Sequence, residues 1–318
     1  MNISKYAGIF IIIFFILCFL TNSASAEQIK LKLFENKDSH PSQMFQDQFG
    51  QTGESGIGIK LMGGGFYLMD NIFNDHVQGL NDLNEDRPGL DVISQFKPIL
   101  IGMDFSGEII IDFTPNFGIG IGAGYISAGK QVTSELEFGA DSSELTAGPM
   151  FSAIPLTFSL YIGMPFGDSF KVVLEGGGGY YLGTVEWEYS TEWTTGYQYR
   201  ETWSSKSNTL GYHGGINLEF NFTQKSAFVL RIRGRTAKLA DLRGDLEYET
   251  LLGSYVIEEA NLWFGVWEDD ITQKEYPSIG LWKAGAPSQT VGGRYKNMQD
   301  TAVSIGGIIF QAGIKITF

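Results

Sequence analysis

The chain has one cysteine and three histidines in 318 residues. The cysteine, Cys18, lies inside an apolar leader, so the chain from Glu27 onward carries no thiol. Disulfides therefore do not hold the chain together, and thiolate metal sites are excluded. The histidines, His40, His76 and His213, are far apart, which leaves little material for catalysis or tight metal binding. Positive charge is also short, with 22 basic against 36 acidic residues and a formal net charge of −14. Such a chain is a poor electrostatic match for nucleic acid. After the leader no run of about 18 apolar residues occurs, so no helix is built to cross a bilayer.

Glycine and aromatic residues are what the chain has in excess. Glycine occurs 41 times, well above the roughly 7% of ordinary proteins. Aromatics make up 14%. Together with long alternating patterns they point to an all-β protein.

The first 26 residues stand apart. Lys5 supplies a positive charge, Ala7 to Leu20 reads "AGIFIIIFFILCFL", and Ala24-Ser25-Ala26 fits a small-residue cleavage site. The apolar run is short of the roughly 20 residues of a spanning helix, so residues 1–26 read as a cleaved secretory signal peptide.

Eight alternating runs follow: Gly56 to Met69, Ile99 to Phe113, Phe117 to about Phe138, Met150 to Met164, Phe170 to about Tyr189, about Asn208 to Phe222, Ala227 to about Leu239, and Thr301 to Phe318. Short turns and long loops alternate between them. The short links are "TPN", "PFGDS" and "TQKS"; the long ones cover 70–98, 139–149, 190–207 and 240–300. The expected fold is an eight-stranded antiparallel up-and-down transmembrane β-barrel over residues 55–318, with short turns at one end and long loops at the other. A ten-stranded version would recruit "YVIEEANLWFGVW" and "YPSIGLW" from the last loop. Those pieces otherwise form a β extension or a cap over the mouth.

Side chains in a strand alternate between faces. One face is apolar: Ile101, Met103, Phe105, Ile109, Ile111 and Phe113 in the second run, and Ile154 to Met164 at every second position in the fourth. The other face is charged in both signs. It carries Lys60, Asp104, Glu108, Asp112, Lys171, Glu175, Glu219, Arg231, Arg233, Arg235 and Lys315. A narrow barrel desolvates such groups, so they must pair. Glu219 on the neighbouring strand, with Glu108 and Glu175 reaching across, is expected to separate the three arginines. This network is either a strut or a gate. Gly118, Gly120, Gly122, Gly124, Gly177 and Gly179 lie on the same face, where they leave voids or make room for long side chains opposite. Aromatics gather at the run ends: Phe113, Phe117, Phe166, Phe170, Phe222, Phe228 and Phe318 by the short turns, and Tyr67, Tyr125, Tyr180, Tyr181, Trp187 and Tyr189 toward the long loops. Two membrane-interface girdles are the expectation.

The last residues read "GGIIFQAGIKITF". Phe310, Ala312, Ile314, Ile316 and Phe318 alternate to a terminal aromatic. This stretch resembles the C-terminal signature of bacterial outer-membrane proteins, and the chain resembles the small barrels of the OmpA, OmpX and OmpW type. The resemblance covers about Gly56 to Phe318. It implies an integral protein of the outer membrane of a Gram-negative-type bacterium, in contact with outer-membrane lipid and assembled by the barrel-assembly machinery, which reads the terminal signature. Residues 27–54 would then be a periplasmic extension.

Within that frame the expected role is structural or surface-interacting, as a monomer without cofactor, metal or catalytic residues, with a ligand meeting the extracellular loops. The aromatic and polar "STEWTTGYQYRETWSS" suits a recognition surface. Two alternatives stay open: a narrow OmpW-like channel for small molecules, and an envelope-lipid-modifying enzyme. For the enzyme, His213 is the one strand histidine and has no serine beside it in sequence. "GIGIGA", Gly118 to Ala123, formally fits a dinucleotide fingerprint, but glycine continues at period 2 where a helix would have to open. Glu268, Asp269 and Asp270 read as a solvated acidic run, with a divalent cation as the alternative.

Overall fold

The computed structural model describes residues 56–69, 71–99, 101–139, 141–167, 169–223, 225–283 and 293–318. The expected signal peptide, 1–26, and extension, 27–54, lie outside the described residues.

The chain is all-β around one antiparallel sheet. In order it forms β1 (Gly56–Leu68), the helix α1 (Ile72–Asp86), β2 (Asp91–Val92), β3 (Ile101–Thr114), β4 (Phe117–Gly129), β5 (Val132–Phe138), β6 (Asp141–Ala147), β7 (Met150–Phe166), β8 (Phe170–Trp193), β9 (Gln198–Thr223), β10 (Ser226–Thr236), β11 (Lys238–Leu239), β12 (Arg243–Thr250), β13 (Gly253–Asp269), β14 (Glu275–Trp282), β15 (Gly293–Asp300), β16 (Val303–Ser304) and β17 (Gly307–Thr317). Eight of these strands close a ring. β1 pairs β3, β3 pairs β4, β4 pairs β7, β7 pairs β8, β8 pairs β9, β9 pairs β10, β10 pairs β17, and β17 returns to β1. The closing pair runs from Gly58 opposite Thr317 to Leu68 opposite Gly307. The ring has no free edge, so its backbone groups are paired within the sheet.

The pleat sets the two faces of the ring. Outward positions are apolar and exposed: Ile57, Ile59 and Leu61; Ile101, Met103, Phe105 and Ile109; Ile154, Leu156, Phe158, Leu160 and Ile162; Leu210, Tyr212 and Ile216; Ile308, Phe310, Ile314 and Ile316. Inward positions hold the charges described below.

The segments expected as long loops are mostly strand. β8 and β9 run on past the ring and are joined at Thr194 to Tyr197, where Gly196 takes a left-handed φ of 86°. Their upper halves are flanked by β6, β5 and β2 on one side and by β12, β13, β14 and β15 on the other. The expected third run, to Phe138, is really two strands; β4 stops at Gly129 and β5 leaves to pair with β6. Period-2 alternation continues through the upper parts of β8 and β9 and through β5 and β12, while β6, β13, β14 and β15 depart from it. What changes is the chemistry of each face, and apolar runs alone therefore mistook them for loops. None of the described added strands enters the ring, so of the readings open for the last-loop pieces the β extension holds, and the two further barrel strands do not.

The helix α1 lies in the first long connection. Asn71 caps it by accepting from the Phe73 amide at 2.9 Å, satisfying one of the orphan N–H groups of a helix start. The side chains of Asn74 and Asn81 each hold one backbone residue of the returning chain. Asn74 bonds both N–H and C=O of Ile99, each at 2.8 Å. Asn81 does the same for Phe96, each at 2.9 Å. Gly79 lets the helix approach Pro277 of β14, where a Cβ would meet the carbonyl oxygen at 2.1 Å.

A continuous apolar core closes this end of the ring. Phe66, Phe73, Ile126, Phe151, Tyr181, Trp187, Trp203, Leu239, Leu246 and Ile305 belong to it. Phe73 stacks on Trp187 with centroids 5.7 Å apart. Tyr181 and Trp187, expected in an interface girdle, are thus inside, because β8 places its odd residues inward. Tyr189 is partly buried on the same face. Tyr67, Tyr125 and Tyr180 are exposed outward. At the short-turn end Phe113, Phe117, Phe166, Phe222 and Phe318 are exposed, and Phe170 and Phe228 partly so.

Candidate functional site

Inside the ring the charged side chains form three tiers along its axis. The middle tier is built on Arg231 of β10. Its guanidinium grips Glu108 of β3 with two nitrogens, NH1 at 2.9 Å and NH2 at 3.0 Å, and its Nε lies 3.1 Å from Glu175 of β8. Arg233 bonds the same two acids, reaching Glu108 at 3.0 Å. Lys60 of β1 reaches Glu108 at 2.8 Å. It also donates to the Tyr161 hydroxyl at 3.1 Å, while that hydroxyl donates to Glu108. Asn217 donates to Glu175 at 3.0 Å and accepts from Arg231 at 2.8 Å. Three cations thus share two carboxylates, all buried. Bidentate arginine geometry and the extra hydrogen bonds are what offset the cost of burying such charges.

The tier toward the core is the pair Arg235–Asp104 at 2.6 Å, with Gln311 donating to Asp104 at 2.9 Å. Arg235 also lies over the Phe66 ring at 5.0 Å, where the charged region meets the apolar core. The tier at the short-turn end is Lys315 with Asp112 at 3.1 Å and Glu219 at 3.8 Å.

Two expectations need correction. Glu219 does not separate the arginines. The β9–β10 register sets it opposite Val229, while Arg231, Arg233 and Arg235 face Asn217, Gly215 and His213. Lys171 forms no ion pair among the described residues; its amine donates to the Pro115 carbonyl at 2.7 Å, at the rim. The remaining members, Lys60, Asp104, Asp112, Glu108, Glu175, Arg231, Arg233, Arg235 and Lys315, are brought together as above.

Sequence reading passed over Tyr161, Ser159 and Gln311, all buried here. The available signal was alternation: with Leu160 and Ile162 outward, Tyr161 and Ser159 must point in. The inward glycines make room for these groups. A Cβ on Gly120 would lie 2.7 Å from the Tyr161 ring, and one on Gly122 2.7 Å from Glu108.

Ser159 also gives His213 the serine that its sequence neighbours lack, with Oγ 2.8 Å from Nε2. Glu175 approaches the same nitrogen, at 3.7 Å, and Nδ1 has no hydrogen-bond partner among the described residues. A nucleophile relay needs the acid on the nitrogen opposite the serine. The three side chains are also buried inside the ring, and the relay geometry is not met.

Glu268 and Asp269 of the acidic run are already paired. Glu268 accepts from Arg294 and from Lys296, which together hold its carboxyl down at about 2. Asp269 takes Arg87 at 2.6 Å and the amides of Ile271 and Thr272. No metal-holding group of three or more ligands occurs among the described residues.

At the other end of the chain, Phe310, Ile314, Ile316 and Phe318 line the outer face of the closing strand, with Ala312 partly covered between them. No family model and no curated protein matches the chain.

Proposed function

We propose that the chain is an integral outer-membrane β-barrel of the small eight-stranded type, exported by its leader and inserted with the terminal Phe318 strand as the assembly signal. One observation carries this reading: the closed ring exposes a continuous apolar belt outward while its ion pairs lie inside. Soluble monomers rarely expose contiguous apolar surface beyond a few hundred Å². A lipid-embedded barrel has to, because hydrocarbon is its solvent.

Its role in this reading is that of a closed scaffold which carries the extension outside the cell as an interaction surface. The charge tiers act as struts, and the apolar core stoppers the upper mouth. A cavity of about 10 Å³ lies at the short-turn rim, room for about one water, and the paired charges occupy the ring above it, which favours the scaffold over the narrow-channel alternative. The polar residues around His213 are sealed from lipid, which argues against the lipid-modifying enzyme. Partner chemistry in this reading is outer-membrane lipid around the belt, the assembly machinery during insertion, and a ligand at the outer surface; the unit is a monomer.

The test is refolding from urea into lipid vesicles, followed by protease protection and planar-bilayer recording. The reading expects detergent- or lipid-dependent folding, a heat-modifiable band on gels, and no conductance steps. A protein that folds and stays monomeric in buffer without detergent would end the membrane assignment. Steady conductance would end the closed-scaffold role and favour the channel.

A further inference from the structure

Above the core the extension holds a carboxylate without a cation. Glu201 sits on β9 two residues before Trp203. It lies directly opposite Tyr189 of β8 and Tyr248 of β12, so the three side chains share one face. Tyr199 is the next residue on that face, and Tyr255 of β13 stands opposite Tyr248. The four rings form a continuous row across four strands, with centroids 6.3, 6.0 and 4.8 Å apart in the order Tyr189, Tyr199, Tyr248, Tyr255. Trp187, Trp203 and Leu246 are the layer beneath. The first three tyrosines and Glu201 are partly buried, and Tyr255 is exposed.

Glu201 accepts a hydrogen bond from Tyr199 at 2.8 Å. Among the described residues no lysine, arginine or histidine lies within ion-pair distance of it. Arg87 is held by Asp269 at 2.6 Å. Arg200, its neighbour on the strand, points to the opposite face and pairs with Glu188 at 2.6 Å. Burial pushes the Glu201 carboxyl above its ordinary range, and burial first, with the Glu201 carboxylate second, raises the phenol of Tyr295 to about 12. The contrast with the ring interior is direct: Glu108, Glu175 and Asp104 each have a cation of the chain beside them, and among the described residues Glu201 has none.

A carboxylate kept partly out of water favours a positive partner, and the row of aromatic rings beside it says which kind. Metal ions need several oxygen ligands, which this site does not offer. Aromatic faces hold organic cations through the ring quadrupole, and quaternary ammonium groups are bound in such cages. We propose that Tyr189, Tyr199, Tyr248 and Tyr255, with Glu201 as counter-charge, form a binding site for an alkylammonium group, primary or quaternary. The site stands on the geometry of the extension and does not depend on what surrounds the ring. A free small amine and the ammonium of a lipid headgroup share this chemistry.

The experiment uses the full mature chain in a detergent micelle free of ammonium groups. Choline is titrated while the emission of the tryptophans beneath the site is followed. The neutral isostere 3,3-dimethylbutan-1-ol is titrated in parallel. The expected result is a saturable response to choline and none to the alcohol, with Glu201→Gln and Tyr248→Leu each weakening choline binding at least tenfold. Glu201→Gln should leave the melting temperature unchanged or higher, since it removes an uncompensated charge, so the loss of binding is not a loss of fold. Competition by a short-chain phosphatidylethanolamine assigns the natural ligand to a headgroup. Choline binding without that competition assigns it to a free amine, and either result retains the site. No saturable response, an equal response to the alcohol, or unchanged affinity in Glu201→Gln overturns the proposal, whatever the outcome of the membrane tests.

Discussion

The same two strands make opposite choices in their two halves. In the lower half of β8 and β9 the outward residues are Leu174, Tyr180, Leu182, Leu210, Tyr212, Ile216 and Phe220, and the inward ones include Glu175, His213, Asn217 and Glu219. In the upper half the outward residues are Glu186, Glu188, Arg200, Thr202, Ser204 and Lys206, and the inward ones are Val185, Trp187, Trp203 and Ser205. The backbone ladder runs unbroken through the change, from Phe170 opposite Phe220 to Glu192 opposite Gln198. What inverts is where the apolar side points. A sheet with its grease inside is solvated by water, and one with its grease outside is solvated by something else. The switch near Thr184 and Asn208 therefore marks a level along the molecule at which the surrounding medium changes, under the membrane reading proposed above.

The largest break in this comparison is expected from the inside of the lower half. Glu108→Ala leaves Lys60, Arg231 and Arg233 with one carboxylate among them. Removing one partner of a buried pair costs about 3–5 kcal/mol, so the urea midpoint of refolding in vesicles should fall accordingly. An unchanged midpoint would mean the tier is hydrated.

The outside comes next, and it tests the inversion itself. Ile216→Arg puts a charge in the middle of the belt and should cost about 2–4 kcal/mol in vesicles. Ser204→Arg, on the outward face of the upper half, should stay within about 0.5 kcal/mol. Equal costs at the two sites would remove the boundary.

Acid should loosen the upper half first. His76 is buried against Trp187, and its Nδ1 accepts from the Ile279 amide at 3.2 Å. Burial holds its pKa down to about 4, against an ordinary value of 6.5. The unfolded histidine therefore takes up a proton below 6.5 while the folded one does not. Stability is complete above pH 6.5 and is lost as pH falls from 6.5 toward 4, by roughly 3 kcal/mol at most. Hydrogen exchange of the amides of α1 and β14 over that window is the measurement, and His76→Gln should flatten the dependence.

The smallest effect is expected from the helix cap. Asn71→Ala removes the acceptor for the Phe73 amide and should cost about 1 kcal/mol. It should be seen as faster exchange in α1 with the ring amides unchanged. Slowed refolding of the whole ring would instead tie the helix to the lower half.

The lower half was largely legible from sequence because its outward positions give a clean signal. From Ile101 to Phe113 and from Ile154 to Met164 none of them carries a charge, as hydrocarbon would demand under the membrane reading, although Ile110 is apolar and buried inward. The upper half was not, for the same reason reversed. With water outside, Glu192 and Arg200 look like loop residues, and only pairing with β6 and β12 turns them into strand. The helix α1 was missed because its inward face mixes Phe73 and Val77 with His76, Asn81 and Asn84, which reads as polar until the partners Phe96, Ile99 and Ile279 are in place.

Alternation by itself determined which side chains share a face, and hence that Lys60, Glu108, Glu175 and the three arginines point the same way, since a strand has a period of two whatever it packs against. It did not determine who pairs with whom. That was decided by register and ring closure, which set Glu219 against Val229, brought β1 and β17 together from opposite ends of the chain, and left Glu201 among tyrosines with no cation. Those distances depend on how separate strands align, and no local pattern encodes that.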